Sequence, residues 1–219
     1  MKTKLMVACL FMILMLGFSA CDGSKIKISD KMSPSQTVEA FLESFKAQEW
    51  DSLDQIYAGS GEDFSSAYGL AKGGNENSDE LQEAFMSRLY DFDYKIGEES
   101  IAEGGETATV EITTKAYNMV DVFNAFYQEY MEKALDTYSG KSGDMKEADL
   151  EKMAASILQE KVEAAEKDYE GTAVITLTKV DDRWIVDEMS EANPDFLNAI
   201  SGGMLDVASD VVNSIEEGK

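Results

Sequence analysis

The side chains able to do chemistry in this sequence are carboxylates, lysines, tyrosines and hydroxyls, because its 219 residues include no histidine and only two cysteines. Without imidazole there is no Ser-His-Asp or Cys-His constellation and no imidazole metal ligand. Paired carboxylates can still hydrolyse a glycoside when one stays protonated and the other ionised across a sugar-sized cleft. Among 43 Asp and Glu residues, however, no pair stands out by its spacing. Calcium is the other chemistry that so many carboxylates suggest, and two stretches begin like its loops. Asp91-x-Asp93-x-Lys95 puts a lysine at the fifth position and Ile96 where glycine is needed, and Asn75-x-Asn77-x-Asp79 has Glu80 for that glycine and Met86 for the bidentate glutamate. The sequence therefore assigns no catalytic residue, no metal site and no cofactor. Its formal charge of -24 repels phosphate backbones and anionic lipid surfaces, which argues against nucleic acid as a partner.

The chemistry that the sequence does place is at Cys21. Lys2 and Lys4 precede an uncharged apolar run from Leu5 to Leu16, too short to span a bilayer and of the length of a signal-peptide core. The run closes on Phe18-Ser19-Ala20-Cys21, which resembles a bacterial lipobox. That resemblance implies a diacylglycerol on the Cys21 sulfur and cleavage between Ala20 and Cys21, so residues 1–20 are read as a lipoprotein signal peptide and 21–32 as a lipidated tether. Cys9 leaves with the signal, and the mature chain then carries no free thiol for a disulfide or a thiolate nucleophile. The expected location is the extracytoplasmic face of the cell membrane, held there by lipid.

The elements behind the tether follow from period and caps. Ser33-Pro34-Ser35-Gln36 reads as a capping box with proline at the first helical position, and Val38, Phe41, Leu42 and Phe45 follow at helical spacing as one buried stripe. A short helix from Asp51 turns Leu53, Ile56 and Tyr57 inward, and a third helix with Leu81, Phe85, Arg88 and Leu89 begins after Ser78 as its cap. The period then shortens to two. Residues 93–98 form a strand, 103–105 a turn, and 107–117 a strand with Ala108, Val110, Ile112, Thr114 and Ala116 on one face. Helical spacing returns over 119–138 and 147–167, joined by Ser139-Gly140-Lys141-Ser142-Gly143 as a helical hairpin. The aromatic stripe Phe123, Phe126, Tyr127, Tyr130 in its first helix is read as core packing. Strands over 172–180 and 183–186, a helix over 194–200 and a weakly amphipathic helix to Ile215 complete the chain. The glycine pairs 73–74, 104–105 and 202–203 lack the setting of a phosphate loop and read as turns and caps.

Residues 33–219 show no linker and no repeat, and are read as one α+β domain in which helices come first and antiparallel strands follow. Pro34-x-x-x-Val38-x-x-Phe41, Tyr94-Lys95-Ile96-Gly97-Glu98 before Thr107-Ala108-Thr109-Val110, Trp184-Ile185-Val186, and Phe196-Leu197-Asn198-Ala199-Ile200-Ser201-Gly202-Gly203 resemble small NTF2-like, or cystatin-like, lipoproteins of Gram-positive bacteria. The resemblance implies a curved antiparallel sheet packed on the N-terminal helices, with the hairpin of about 119–167 as an insertion. It also makes the sheet's concave side the place to look for a pocket, with Tyr94, Tyr117, Trp184 and Asp187 as its candidate residues. The function so implied is binding of a small molecule, a peptide or an envelope protein without catalysis. An adaptor module that dimerises through its sheet is the alternative, and a carboxylate-dependent glycan hydrolase is the second. An open cavity of several hundred Å3 on the sheet favours a small ligand, and a filled one favours the adaptor.

Overall fold

A computed structural model describes residues 28–29, 31–60, 76–138, 147–189, 192–207 and 209. The expected signal peptide, Ala20, Cys21, most of the tether, the Ser139–Gly143 link and the end of the last helix lie outside these residues. Among the described residues, no helix is long and apolar enough to cross a membrane.

Helix α1 spans Pro34–Lys46 and begins as its sequence dictates. The Ser33 hydroxyl accepts from the Gln36 amide at 3.2 Å, and the Gln36 side chain accepts from the Ser33 amide at 2.9 Å. Both bonds satisfy donors that a helix start leaves orphaned. Val38, Phe41, Leu42 and Phe45 are all fully buried. Helix α2 is one turn, Trp50–Leu53, and Tyr57 then forms a parallel bridge to Val186 in place of continuing helix. Helix α3 spans Glu76–Tyr90, so Ser78 lies within it and does not cap it.

Four strands follow as one antiparallel sheet in the order β1-β2-β3-β4: β1 Asp93–Ile101, β2 Thr107–Ala116, β3 Tyr169–Val180 and β4 Arg183–Val186. Strands β2 and β3 pair without a slip from Thr107↔Thr178 to Ala116↔Tyr169. Between these neighbours the chain makes helices α4, Met119–Tyr138, and α5, Glu147–Glu163, which pack on each other. The expected hairpin is thus an excursion from one end of the sheet. Its neck is closed by the Asn118 amide donating to the Glu166 carbonyl at 3.0 Å. Helix α5 also packs against α3, and Phe85, Met119, Val122 and Val162 form a small second core there. The hairpin therefore widens the body beside α3.

The main core lies on one face of the sheet, under α1 and the short helix α6, Pro194–Ile200. Phe45 is its hub, with Phe92, Phe196, Tyr90 and Trp50 rings centred 5.2 to 6.3 Å away. Alternation places Ala108, Val110, Ile112, Thr114 and Ala116 of β2 opposite Leu177, Ile175, Ala173, Gly171 and Tyr169 of β3 on this face. Helix α6 comes so close to Gly171 that a Cβ there would stand 2.9 Å from the Ala199 Cα, and the Thr114 hydroxyl donates to the Ala199 carbonyl at 3.0 Å. Gly202 and Gly203 end α6 with φ of +62° and +79°. This left-handed turn suits glycine and presents the Gly202 carbonyl to the amides of Met119 and Val120, the first turn of α4.

The opposite face carries Thr109, Glu111, Thr113 and Lys115 beside Thr176, Val174, Thr172 and Glu170. Val174 is half exposed there. The aromatic stripe of α4 departs from the expected core packing. Tyr127 is 63% exposed and Leu135 61%, Phe123, Phe126 and Tyr130 are only partly covered, and the deep residues are Met119, Val122 and Ala134. Helical spacing identified a face, but α5 covers only its flank.

Candidate functional site

The four residues expected to share a pocket are not brought together. Tyr94, second in β1, faces the main core and its hydroxyl donates to Glu43 Oε1 of α1 at 2.6 Å. Burial, reinforced by that carboxylate, raises the phenol far above its ordinary value. Tyr117 follows β2, and its hydroxyl donates to Asp91 Oδ2 at 2.9 Å. Lys167 Nζ reaches Asp91 Oδ1 at 2.7 Å, while the Arg88 guanidinium and the Lys167 ammonium lie over the Tyr117 ring at 4.8 and 5.4 Å. The Lys167 bond holds Asp91 below the usual carboxylate range, and burial pushes the Tyr117 phenol up. Both phenols are therefore neutral donors whose protons point at carboxylates, a poor arrangement for abstracting a proton.

Asp187 serves through its backbone. Its amide donates to Thr176, and its carbonyl accepts from Asn193 Nδ2 at 2.9 Å. Asn193 Oδ1 in turn accepts from the Thr176 amide at 2.6 Å and its hydroxyl at 3.1 Å. Buried Asn193 thus continues the ladder where β4 has ended, using side-chain groups in place of a strand. Its position in a short loop far from Thr176 in sequence gave no signal of this.

Trp184 lies at the far end of the sheet, on the opposite edge strand from Tyr94. The residue is 9% exposed and Lys179 Nζ stands 5.8 Å from the centre of its ring. It belongs to the main core, and it also walls an open cleft of about 550 Å3 at the β3–β4 turn. Lys31 and Met32 from the end of the tether and Lys179, Asp181, Asp182 and Arg183 form the rest of the wall. The turn is tight: Asp181 and Asp182 take φ of +48° and +64°, the left-handed conformation that a two-residue hairpin connection demands and that Asp tolerates better than most residues. Lys179 Nζ lies 3.6 Å from Asp182 Oδ1. Three cations thus line one cleft in a chain with more than twice as many acids as bases, Lys179 and Arg183 brought there by the hairpin and Lys31 by the packing of the tether's end beside it.

On the core face of the sheet the space is taken by side chains. Phe41, Phe45, Phe92, Phe196, Ile112, Ile175 and Leu177 are buried to within 2% of completeness. A crevice bounded by Phe85, Arg88, Leu89, Tyr117, Met119, Ile200 and Ser201 is too narrow to hold water. Among the described residues, no three Asp, Glu or Cys side chains gather as a metal site would require. Asp91 and Asp93, the start of one calcium-like stretch, instead face Lys167 at 2.7 and 3.9 Å.

Neither a protein-family model nor a curated protein sequence matches this chain. Among solved structures it is similar to ycdA of Bacillus subtilis subsp. subtilis strain 168, described as a lipoprotein. Identity is 16% and the TM-score 0.51, over 75% of this chain and 55% of that one. The chain thus spans about half the length of that structure, and a likeness at this identity is one of fold.

Proposed function

We propose that this chain is a lipid-anchored extracytoplasmic protein with an NTF2-like body that binds an envelope protein or peptide through its surface, without catalysis. The observation that carries this reading is the filled core face. With aromatic rings occupying the space between sheet and helices, a small molecule has no apolar chamber there, and recognition falls to exposed surfaces. The outer sheet face offers a threonine-rich platform with Lys115 and Glu170 side by side at one end of it. The likeness to ycdA and the Ala20-Cys21 ending of the apolar run both support the anchor. The committed phenols of Tyr94 and Tyr117 support the absence of catalysis.

The test joins processing to contact. Mass spectrometry of the native protein should find acyl chains on Cys21, and Cys21→Ala should leave the membrane fraction. A photo-crosslinking residue at Thr172, on the outer sheet face, should then give a discrete adduct in cells, whereas one at Glu151 on exposed α5 should not. No adduct at Thr172, or hydrolase turnover abolished by changing one carboxylate, would sink the reading.

A further inference from the structure

We propose that the cleft at the β3–β4 turn is the membrane-facing end of the molecule, and that its cations hold the phosphodiester headgroups of anionic lipid in the bilayer carrying the anchor. The inference rests on acylation at Cys21. Lys31 stands ten residues after that cysteine and is itself part of the cleft wall. Ten residues reach about 35 Å when fully extended, and about 16–19 Å as a flexible coil. An anchored chain therefore keeps this end near the headgroups. The helical hairpin departs from the other end of β3, before Tyr169.

Charge orients the molecule in the same sense. Lys31, Lys179 and Arg183 outnumber Asp181 and Asp182 in the cleft. The whole chain nevertheless carries -24. An anionic surface attracts this end and repels the rest, and both forces give one orientation. Screening confines such attraction to about 8 Å at physiological ionic strength, so the short tether is what brings it into play. Trp184 is largely buried behind the cleft wall with Lys179 over its ring, close enough to the cleft to report on what occupies it.

Trp184 is also the reporter, since the chain has one other tryptophan, Trp50, which packs on Phe45 and Tyr90 in the core. The full-length mature protein is inserted into vesicles of phosphatidylcholine, with or without phosphatidylglycerol, containing a headgroup-nitroxide lipid. Trp184 emission is read in Trp50→Phe, or as the difference between wild type and Trp184→Phe should the first variant fold poorly. The expected result is at least about twofold stronger quenching with phosphatidylglycerol, removed by Lys179→Gln with Arg183→Gln or by about 0.5 M salt. Equal or absent quenching in acylated protein overturns the cleft and leaves the anchor standing. Unacylated protein that still shows phosphatidylglycerol-dependent quenching upholds the cleft and removes the anchor; without quenching, both fall. A response of Trp184 to free glycerol phosphate equal to that seen with vesicles would make the cleft a site for a soluble anion and overturn the membrane assignment.

Discussion

Phe45 meets the rings of Trp50, Tyr90, Phe92 and Phe196, joining α1 to three other parts of the chain. Truncation to alanine removes those contacts and leaves a cavity that rigid neighbours cannot close, so Phe45→Ala should lower unfolding free energy by about 3–5 kcal/mol in a denaturant titration. Its neighbour Ser44 has the opposite outlook. Among the described residues its buried hydroxyl finds no partner, and Ser44→Ala should raise stability by about 0.5–1 kcal/mol through removal of an unsatisfied group and better helix propensity. Gly202→Ala would place a Cβ 1.7 Å from the Tyr117 carbonyl oxygen at positive φ, and the melting temperature should fall steeply. Asp91 offers a pH readout. Its carboxyl is held low by Lys167 first, so the stabilisation it provides is present above its ordinary value and is lost as pH falls through the lowered one. In a carboxyl NMR titration Lys167→Met should move Asp91 upward, and Tyr117→Phe should move it upward by less. The stripe of α1 was legible because its cap and its period lie within thirteen consecutive residues. The Asp91–Lys167 pair was not, because 76 positions separate its members and only the sheet brings them together.

Among the elements, β1 shows how one irregularity re-aims a side chain. Tyr94 and Ile96 face the core opposite Thr114 and Ile112, but the register shifts before Glu99, which then faces Val110 on that same side. Glu99 thereby reaches the start of α1 and accepts from the Ser35 amide at 2.9 Å. A carboxylate at a helix start satisfies an orphan donor and meets the positive end of the dipole. Glu99→Ala should therefore cost about 0.5–1.5 kcal/mol while the Ser33 box remains, and hydrogen exchange should speed up first at the amides of Ser35 and Gln36. Without the shift Glu99 would point to the outer face, and strict alternation from Tyr94 gave no hint of it. Periodicity failed differently in α4, where it revealed an aromatic face but not whether a partner covers it. Since Tyr127 and Leu135 remain largely exposed, Tyr127→Ser with Leu135→Ser should leave stability within about 0.5 kcal/mol of wild type and improve solubility.

For the whole molecule, the order of helices and strands was readable because each element carries its own period, and β2 and β3 do share one sheet as the strand patterns required. What stayed hidden was the way the core face is filled and where the few cations gather, both properties of tertiary contact. The placement of the helical hairpin also bears on how the chain finds its fold. The ten paired positions of β2 and β3 form the longest ladder in the sheet, yet residues 117–168 intervene. Closing a loop of some fifty residues costs about 3 kcal/mol more in chain entropy than closing a two-residue turn. A hairpin that forms first removes most of that excess, because the Asn118–Glu166 bond at its neck holds the two strand ends side by side. The hairpin would then act as a splint for the sheet during folding, and its local contacts would form early. Met119→Ala and Val162→Ala, which loosen its base, should accordingly slow refolding by more than they speed unfolding, while Ile175→Val in the sheet should act mainly on the unfolding limb.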